Sequence, residues 1–272
     1  MRYLITLIKL FLLLLVLTAL GLGIMFLIMR SPMPTSGARG QDANLMAKSM
    51  QEAVQRSQWA NTKAIKWSLL NRSYLWDLDR GLVRARLDGY EVLFDVKQKR
   101  HAVKKGKTKI DDAEAEDIAL RAYNMWLLDR FILEPTQSFF DEGVKRFLID
   151  PDTPNESLFV HYAEGGETPG DSFQWFLRSN GLPEGVRVWS KKLPIEGMMI
   201  SFKHWKTLKT GLKISTYRTL GPLTVDIKVK ADISLLRLVG RVDPFLEIEP
   251  DPFDPTPASQ PSTYGIETSN LF

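Results

Sequence analysis

Residues 223–233 read Leu223-Thr224-Val225-Asp226-Ile227-Lys228-Val229-Lys230-Ala231-Asp232-Ile233, apolar at every odd position and polar at every even one. Successive strand side chains point to opposite faces, so this period of two predicts one strand with a buried face and a wet face. A sheet with a wet face is antiparallel, since parallel sheets are covered on both sides by their crossover helices. The same period runs through 82–96, where Val83, Ala85 and Leu87, then Tyr90, Val92, Phe94 and Val96, flank Asp88-Gly89. That pair suits a two-residue hairpin turn. Further strands are predicted over 63–70, 73–78, 144–149, 157–162, 172–177, 186–190, 198–202 and 208–216.

Two segments have helical spacing. Residues 42–59 place Leu45, Met46, Met50, Ala53, Val54 and Ser57 near a 3.6 period, with Asp42 as a cap. Residues 111–130 open on the capping pattern Asp111-x-x-Glu114 and carry Ile118, Ala122, Met125 and Trp126 on one face. One long helix among about ten strands cannot cover both faces of a sheet. The expected class is therefore α+β: a strongly curved antiparallel sheet of about nine to eleven strands, an unclosed β-barrel, with the helix against its concave face. No repeat period is visible, which excludes a propeller or solenoid.

Ahead of this domain, residues 10–29 are twenty in a row without a charge, between Lys9 and Arg30. As a helix they reach about 30 Å, one bilayer crossing. A secretory signal has an apolar core of about 7–15 residues and a small-residue cleavage site, whereas Met29-Arg30-Ser31-Pro32-Met33-Pro34 comes next here. Residues 1–30 are thus expected to be an uncleaved transmembrane anchor. Arg2 and Lys9 before the span and Arg30 and Arg39 after it give only a slight charge bias. With nine residues ahead of the span, the short end is expected in the cytoplasm. That makes a single-pass protein of the inner (cytoplasmic) membrane with its C-terminal domain in the periplasm or exterior. Residues 31–41 mix Pro, Gly and Ser and read as a linker, 42–240 as the half-barrel domain, and 241–272, with six prolines, as a disordered tail.

Composition excludes several functions. With no cysteine there is no disulfide, thiolate zinc site, iron–sulfur ligation, cysteine nucleophile or cysteine-linked lipid. The 36 Lys+Arg outnumber the 32 Asp+Glu by little, and Arg2, Lys9 and Arg30 account for most of the excess, which argues against nucleic acid as a partner. Residues 97–109 hold seven Lys or Arg plus His101; the expectation is a solvated hairpin turning at Gly106, with a headgroup-binding patch as the alternative. His101, His161 and His204 have no second His or Cys at ligand spacing, so neither metal nor cofactor is expected. Gly170-Asp171-Ser172 resembles the Gly-Asp-Ser block of lipolytic hydrolases, but the Asp-x-x-His partner is missing. The carboxylates of Trp76-Asp77-Leu78-Asp79 and of Glu164, Glu167 and Asp171 fall at turns. There, acid/base or calcium chemistry competes with ordinary turn capping, and no catalytic residue is assigned.

Seven tryptophans, at 59, 67, 76, 126, 175, 189 and 205, are generous for one domain. Phe173, Trp175 and Leu177 fall on one strand face and Phe176 on the other. An apolar concave face is either packed solid or leaves a cavity. The expected functional edge is 164–175: Glu164, Glu167 and Asp171 at the rim and Phe173 and Trp175 inside, with Trp126 of the long helix as a further ligand contact. Polar rim and aromatic interior suit an amphiphile.

The order helix, four meandering strands with Trp76-Asp77 and the Asp88-Gly89 hairpin, long helix and six or more strands resembles the bacterial lipoprotein localisation factors, the Lol-type (LolA/LolB-like) carriers and receptors. The stretch HYAEGGETPGDSFQW over 161–175, with Gly181-Leu182-Pro183 and Trp189, is also similar to a group of bacterial envelope proteins associated with that superfamily. The resemblance spans 42–233 at the level of element order. It implies an unclosed barrel holding acyl chains under a helical lid. Two departures stand out: carriers of that kind are freed by signal cleavage and the receptors are tethered by a lipidated cysteine, whereas this chain has a span and no cysteine. The expectation is a non-catalytic envelope protein that binds a membrane lipid, a lipoprotein acyl chain or another apolar ligand, with further envelope proteins as partners. The alternatives are an anchored hydrolase acting on envelope glycans or esters, and a scaffold subunit of a membrane complex.

Overall fold

The computed structural model describes residues 2–248 apart from 39, 98, 99, 135, 137, 165–167, 192–194 and 241. Its elements are α1 (Arg2–Met29), α2 (Gln41–Ala53), β1 (Ala64–Leu69), β2 (Arg72–Asp77), β3 (Leu82–Leu87), β4 (Tyr90–Asp95), β5 (His101–Lys105), β6 (Thr108–Ile110), α3 (Asp112–Leu133), β7 (Val144–Ile149), β8 (Ser157–Tyr162), β9 (Ser172–Leu177), β10 (Pro183–Trp189), β11 (Met198–Thr207), β12 (Lys213–Leu220), β13 (Leu223–Asp226), β14 (Lys228–Asp232) and α4 (Leu235–Val239). The class is α+β as expected: open antiparallel sheets, a helix packed on strands, and an apolar helix in front. Among the described residues there are fourteen strands, in two seven-stranded sheets ordered β14-β1-β2-β3-β4-β5-β6 and β13-β12-β11-β10-β9-β8-β7.

The division falls inside the stretch that predicted one strand. β13 ends at Asp226 and β14 begins at Lys228, so residues 223–233 serve both sheets in turn. Val225, Ile227, Val229 and Ala231 are buried in alternation as predicted, while Leu223 and Ile233 at the two ends are exposed. Alternation records which side faces in and says nothing about the partner strand; Ile227 keeps the inward parity through the change of sheet.

The chain separates into two compact units. The first comprises residues up to Arg56, Thr136–Lys206 and Lys213–Asp226, and holds the β13-to-β7 sheet. α2 packs on β7 and β8 with Ala43, Ala47, Met50 and Val54 inward; Leu45, expected on that face, is exposed. Asp42 sits in the first turn, and Gly40 rather than Asp42 holds the cap position. The segment expected to hang free as a linker is bound to the sheet. Ser31 N–H donates to Glu196 (3.1 Å), Trp189 Nε1 donates to the Ser31 carbonyl (2.8 Å), and Ala38 exchanges two backbone hydrogen bonds with Leu148. Since Trp189 is on β10 and Leu148 on β7, this strap crosses β9 and β8 on the side of Phe147, Ile149, Phe159 and Trp189.

The second unit comprises Ser57–Pro135, Thr207–Leu212 and the chain from Ile227, and holds the β14-to-β6 sheet. Asp88 and Gly89 both adopt positive φ (51° and 82°), the two-residue turn predicted between β3 and β4. The basic run contains a hairpin of its own, β5 and β6, turning at Gly106. α3 packs on β3, β4 and β5 with Ile118, Ala122 and Trp126 buried. Asp111 takes the cap position of α3 without a side-chain capping bond and pairs with Lys109 instead.

The chain after β14 covers the opposite face of this sheet. Phe245 and Ile248 are buried with Leu235 against Ala64, Leu75, Leu82, Leu93 and Ala102. The folded part therefore continues past residue 241, where the prolines predict a disordered tail; residues 249–272 lie outside the described residues. Arg80 stacks on Phe245 (5.5 Å) and joins Asp77 (2.8 Å) to Asp243 (2.7 Å). Burial pushes the Asp243 carboxyl up, but hydrogen bonds from Arg80 and from the Phe245 N–H outweigh it and hold the pKa below its ordinary 3.8.

Phe245→Ala should destabilise the chain by about 3–5 kcal/mol in urea unfolding. A carboxyl whose folded pKa is depressed adds stability that is complete above its ordinary value and lost as pH falls through the folded one. Wild type should therefore lose stability below pH 4 more steeply than Asp243→Asn, which lacks that titration.

Candidate functional site

The predicted edge is the connection from β8 into β9. β8 and β9 pair with Leu158 opposite Trp175, Val160 opposite Phe173 and His161 opposite Ser172. This register puts Phe173 and Trp175 on the α2 side of the sheet, where both are buried. Rings surround them: Tyr162 meets Phe173 edge-on at 5.4 Å, and Phe139 and Phe202 each lie 5.7 Å from Trp175. Phe176 is on the other face beside the Arg187 guanidinium, 5.4 Å from its ring centroid. The connection itself is closed by backbone bonds: Gly170 N–H to Tyr162 O, Tyr162 N–H to Asp171 O, and Asp171 N–H to Thr168 O. Asp171 is buried at the start of β9, Glu164 is exposed, and Glu167 lies outside the described residues.

The structure thus brings Asp171, Phe173 and Trp175 together with Glu164 at the mouth of the turn. Trp126 belongs to the second unit. There it packs against Trp76 (5.4 Å), Phe94 and Tyr123 (both 5.8 Å), with the Arg130 guanidinium over the Trp76 and Trp126 rings at 5.0 and 5.4 Å. Between α3 and its strands lies a small cavity of about 30 Å³, beside Phe94, His101 and Tyr123, with room for about one water. Both Trp126 and Trp175 keep a buried indole Nε1–H with no hydrogen-bond partner among the described residues.

The other carboxylate candidates are engaged in their turns. Asp77 accepts the N–H groups of Asp79 (3.1 Å) and Arg80 (3.2 Å) together with Arg80 Nε, and Asp79 pairs with Lys63 at 2.8 Å. They border an open groove of about 360 Å³ with Asp243, Ser234 and Leu236. Among the described residues no three His, Cys, Asp or Glu side chains converge as metal ligands.

Sequence reading missed the strongest polar contact. Asp129, buried on α3, accepts two hydrogen bonds from Arg72 (2.7 and 3.0 Å) and one from the Tyr74 hydroxyl (2.7 Å). Burial pushes the Tyr74 phenol upward, and the Asp129 charge adds to it; the hydrogen bond to Asp129 likewise raises Arg72 against its own desolvation. The signal was present: Asp129 continues the 118, 122, 126 stripe of α3, and a carboxylate on an apolar stripe requires a partner.

No family model matches the chain, and no curated protein matches it. Among solved structures the chain is similar to a DUF1329 family protein from Desulfovibrio piger, at 13% identity over 75% of this chain and 99% of that one, TM-score 0.38. It is also similar to a domain described as an outer membrane lipoprotein-sorting protein, from Vibrio parahaemolyticus, at 9% identity over 73% and 96%, TM-score 0.34. Likeness at this distance carries no residue or ligand across.

Asp129→Ala leaves Arg72 half-buried without its carboxylate and should cost about 3–5 kcal/mol. Tyr74→Phe, which removes one hydrogen bond, should cost about 1–2 kcal/mol. Thermal unfolding of both single variants and the double variant checks this, and strong non-additivity is the expected sign of one network.

Proposed function

We propose that this chain is a single-pass envelope protein whose α1 stays in the membrane and whose folded part binds a lipid, an acyl chain or another apolar ligand without catalysis. α1 is the observation that carries the reading: 28 residues long, uncharged from 10 to 29, with every side chain from Tyr3 to Ile28 exposed. In water such a surface is untenable; in a bilayer it is the solvated one. Retention of the helix is supported at its end, where Arg30 pairs with Glu196 (2.9 Å) and Ser31 is hydrogen-bonded to the sheet.

The ligand half of the proposal is supported by the aromatic face under the Glu164–Asp171 turn. Phe139, Tyr162, Phe173, Trp175 and Phe202 form an apolar interior, and the Trp175 indole N–H is a buried donor that an ester or acid carbonyl oxygen would satisfy. Trp126 offers the same unused donor in the second unit. A second reading, a scaffold docking another envelope protein, is favoured by Ile233, Leu236, Val242 and Leu246, all exposed within the 233–246 segment.

Native mass spectrometry of the full chain extracted from membranes in lipid nanodiscs should show retained lipid after exchange into detergent, with retention several-fold lower in Trp175→Phe. A chain that is always empty, with the variant indistinguishable, overturns the ligand-binding reading. Leu236→Glu that abolishes cellular function at unchanged lipid content would favour the scaffold instead.

A further inference from the structure

We propose that the end of the first unit from which α1 leaves rests directly on the bilayer, its loops in contact with lipid headgroups. The proposal rests on the reading of α1 as a retained span.

The helix end is clamped without slack. α1 ends at Met29, and only Arg30 separates it from Ser31, whose N–H and carbonyl are both bound, by the Glu196 carbonyl and Trp189 Nε1. The two steps from Met29 to Ser31 reach at most about 7 Å, so the sheet cannot stand off from the helix. Two glycines make the fit possible. Gly197 has φ +69°, and a Cβ there would lie 2.3 Å from the Ser31 carbonyl oxygen. Gly221 has φ +56°, and a Cβ there would lie 2.2 Å from Met29 Cε. The uncharged run also stops at Met29, so the edge of the hydrocarbon region and the clamp coincide.

Antiparallel order then fixes what shares this end. Gly197 leads into β11 and Gly221 comes directly after β12. At the same end β8 passes to β9, β10 to β11 and β12 to β13, and β7 begins. The β8–β9 connection is the turn carrying Glu164 and Asp171, so the candidate rim faces the headgroup layer, where an amphiphile leaving the membrane would enter.

The distribution of surface chemistry agrees independently. Outside α1, the exposed large apolar residues of this unit are Met33, Leu45, Phe140, Met199 and Leu223. All but Leu45 lie at this end: Met33 just after the helix, Phe140 ahead of β7, Met199 second in β11 and Leu223 first in β13. Lys191 is exposed in the β10–β11 loop. The opposite end presents Asp150, Asp152 and Glu156 in the β7–β8 turn, but exposed Asp141, Glu142, Glu164 and Glu196 lie at the membrane end, so the apolar residues and not the charges distinguish the two ends.

The chain has no cysteine, so single labels are clean reporters. Lys191→Cys and Leu223→Cys at the membrane end, and Asn155→Cys and Ser179→Cys at the far end, are fluorophore-labelled in the full chain. Each is reconstituted into phosphatidylethanolamine/phosphatidylglycerol vesicles containing a headgroup-spin-labelled lipid. Quenching several-fold stronger at 191 and 223 than at 155 and 179 is expected; Met199→Cys replaces Leu223→Cys if the latter unfolds. Protein that floats with vesicles after an alkaline wash but shows equal quenching at all four positions overturns the seat alone. Protein that fails to float overturns the retained span on which it rests.

Discussion

Strands with apolar residues on both sides impose the governing constraint here: an antiparallel sheet built from them has no face to give to water, and both faces must be covered. In the second unit Trp67, Tyr74, Val83 and Val92 point one way and Ala64, Leu75, Leu82 and Leu93 the other, all buried. α3 covers the first set; α4 with Phe245 and Ile248 covers the second. In the first unit, Leu158, Val160, Phe173 and Trp175 face α2, while Phe147, Ile149, Phe159 and Trp189 lie under the strap after α1. Nearly every non-strand segment among the described residues is thereby committed to covering a sheet.

Within the second unit the covering helix is held by a charge. Side-chain packing alone leaves a helix free to slide along its stripe, because one apolar ridge fits several grooves. Asp129 removes that freedom. Its carboxylate is bidentate to Arg72 and accepts from Tyr74, two residues further along β2 on the same face, so α3 has one register. Arg130, next in sequence, lies over Trp76 and Trp126 and extends the fixation to the aromatic layer.

Much of this was legible because period and turn chemistry are local. The bounds of β7, β8 and β9 come from alternation, the β3–β4 hairpin from Asp88-Gly89, and α3 from its stripe. What was not legible is pairing. Residues 223–233 alternate without interruption while changing sheets, since parity constrains the face and not the neighbour. The two covering segments escaped for a related reason: Ser31 to Ala38 and 242–248 have the composition of linkers, and a few side chains or backbone bonds suffice to hold them. At the candidate edge, alternation placed Phe173 and Trp175 on one face correctly. It could not tell that Phe139 and Phe202, remote in sequence, close over Trp175.

The two covering segments differ in the kind of interaction that holds them. The C-terminal one buries Phe245 and Ile248 in an apolar cluster, and each such side chain contributes about 1.5–3 kcal/mol relative to exposure. The N-terminal one is held largely by backbone and indole hydrogen bonds, each worth about 0.5–1.5 kcal/mol net. The sheet beneath it has polar pairs of its own, Gln174 to Ser157 and His161 with Ser172, both at 2.9 Å, which stay satisfied when the strap lifts. Four strap bonds, with Ile149, Phe159 and Trp189 buried beneath the strap, make the two covers comparable in strength and different in kind: directional bonds in the first unit, a buried ring and aliphatic side chain in the second. The strap is also the segment continuous with α1, so a displacement of that helix reaches the cover of the first unit through directional bonds.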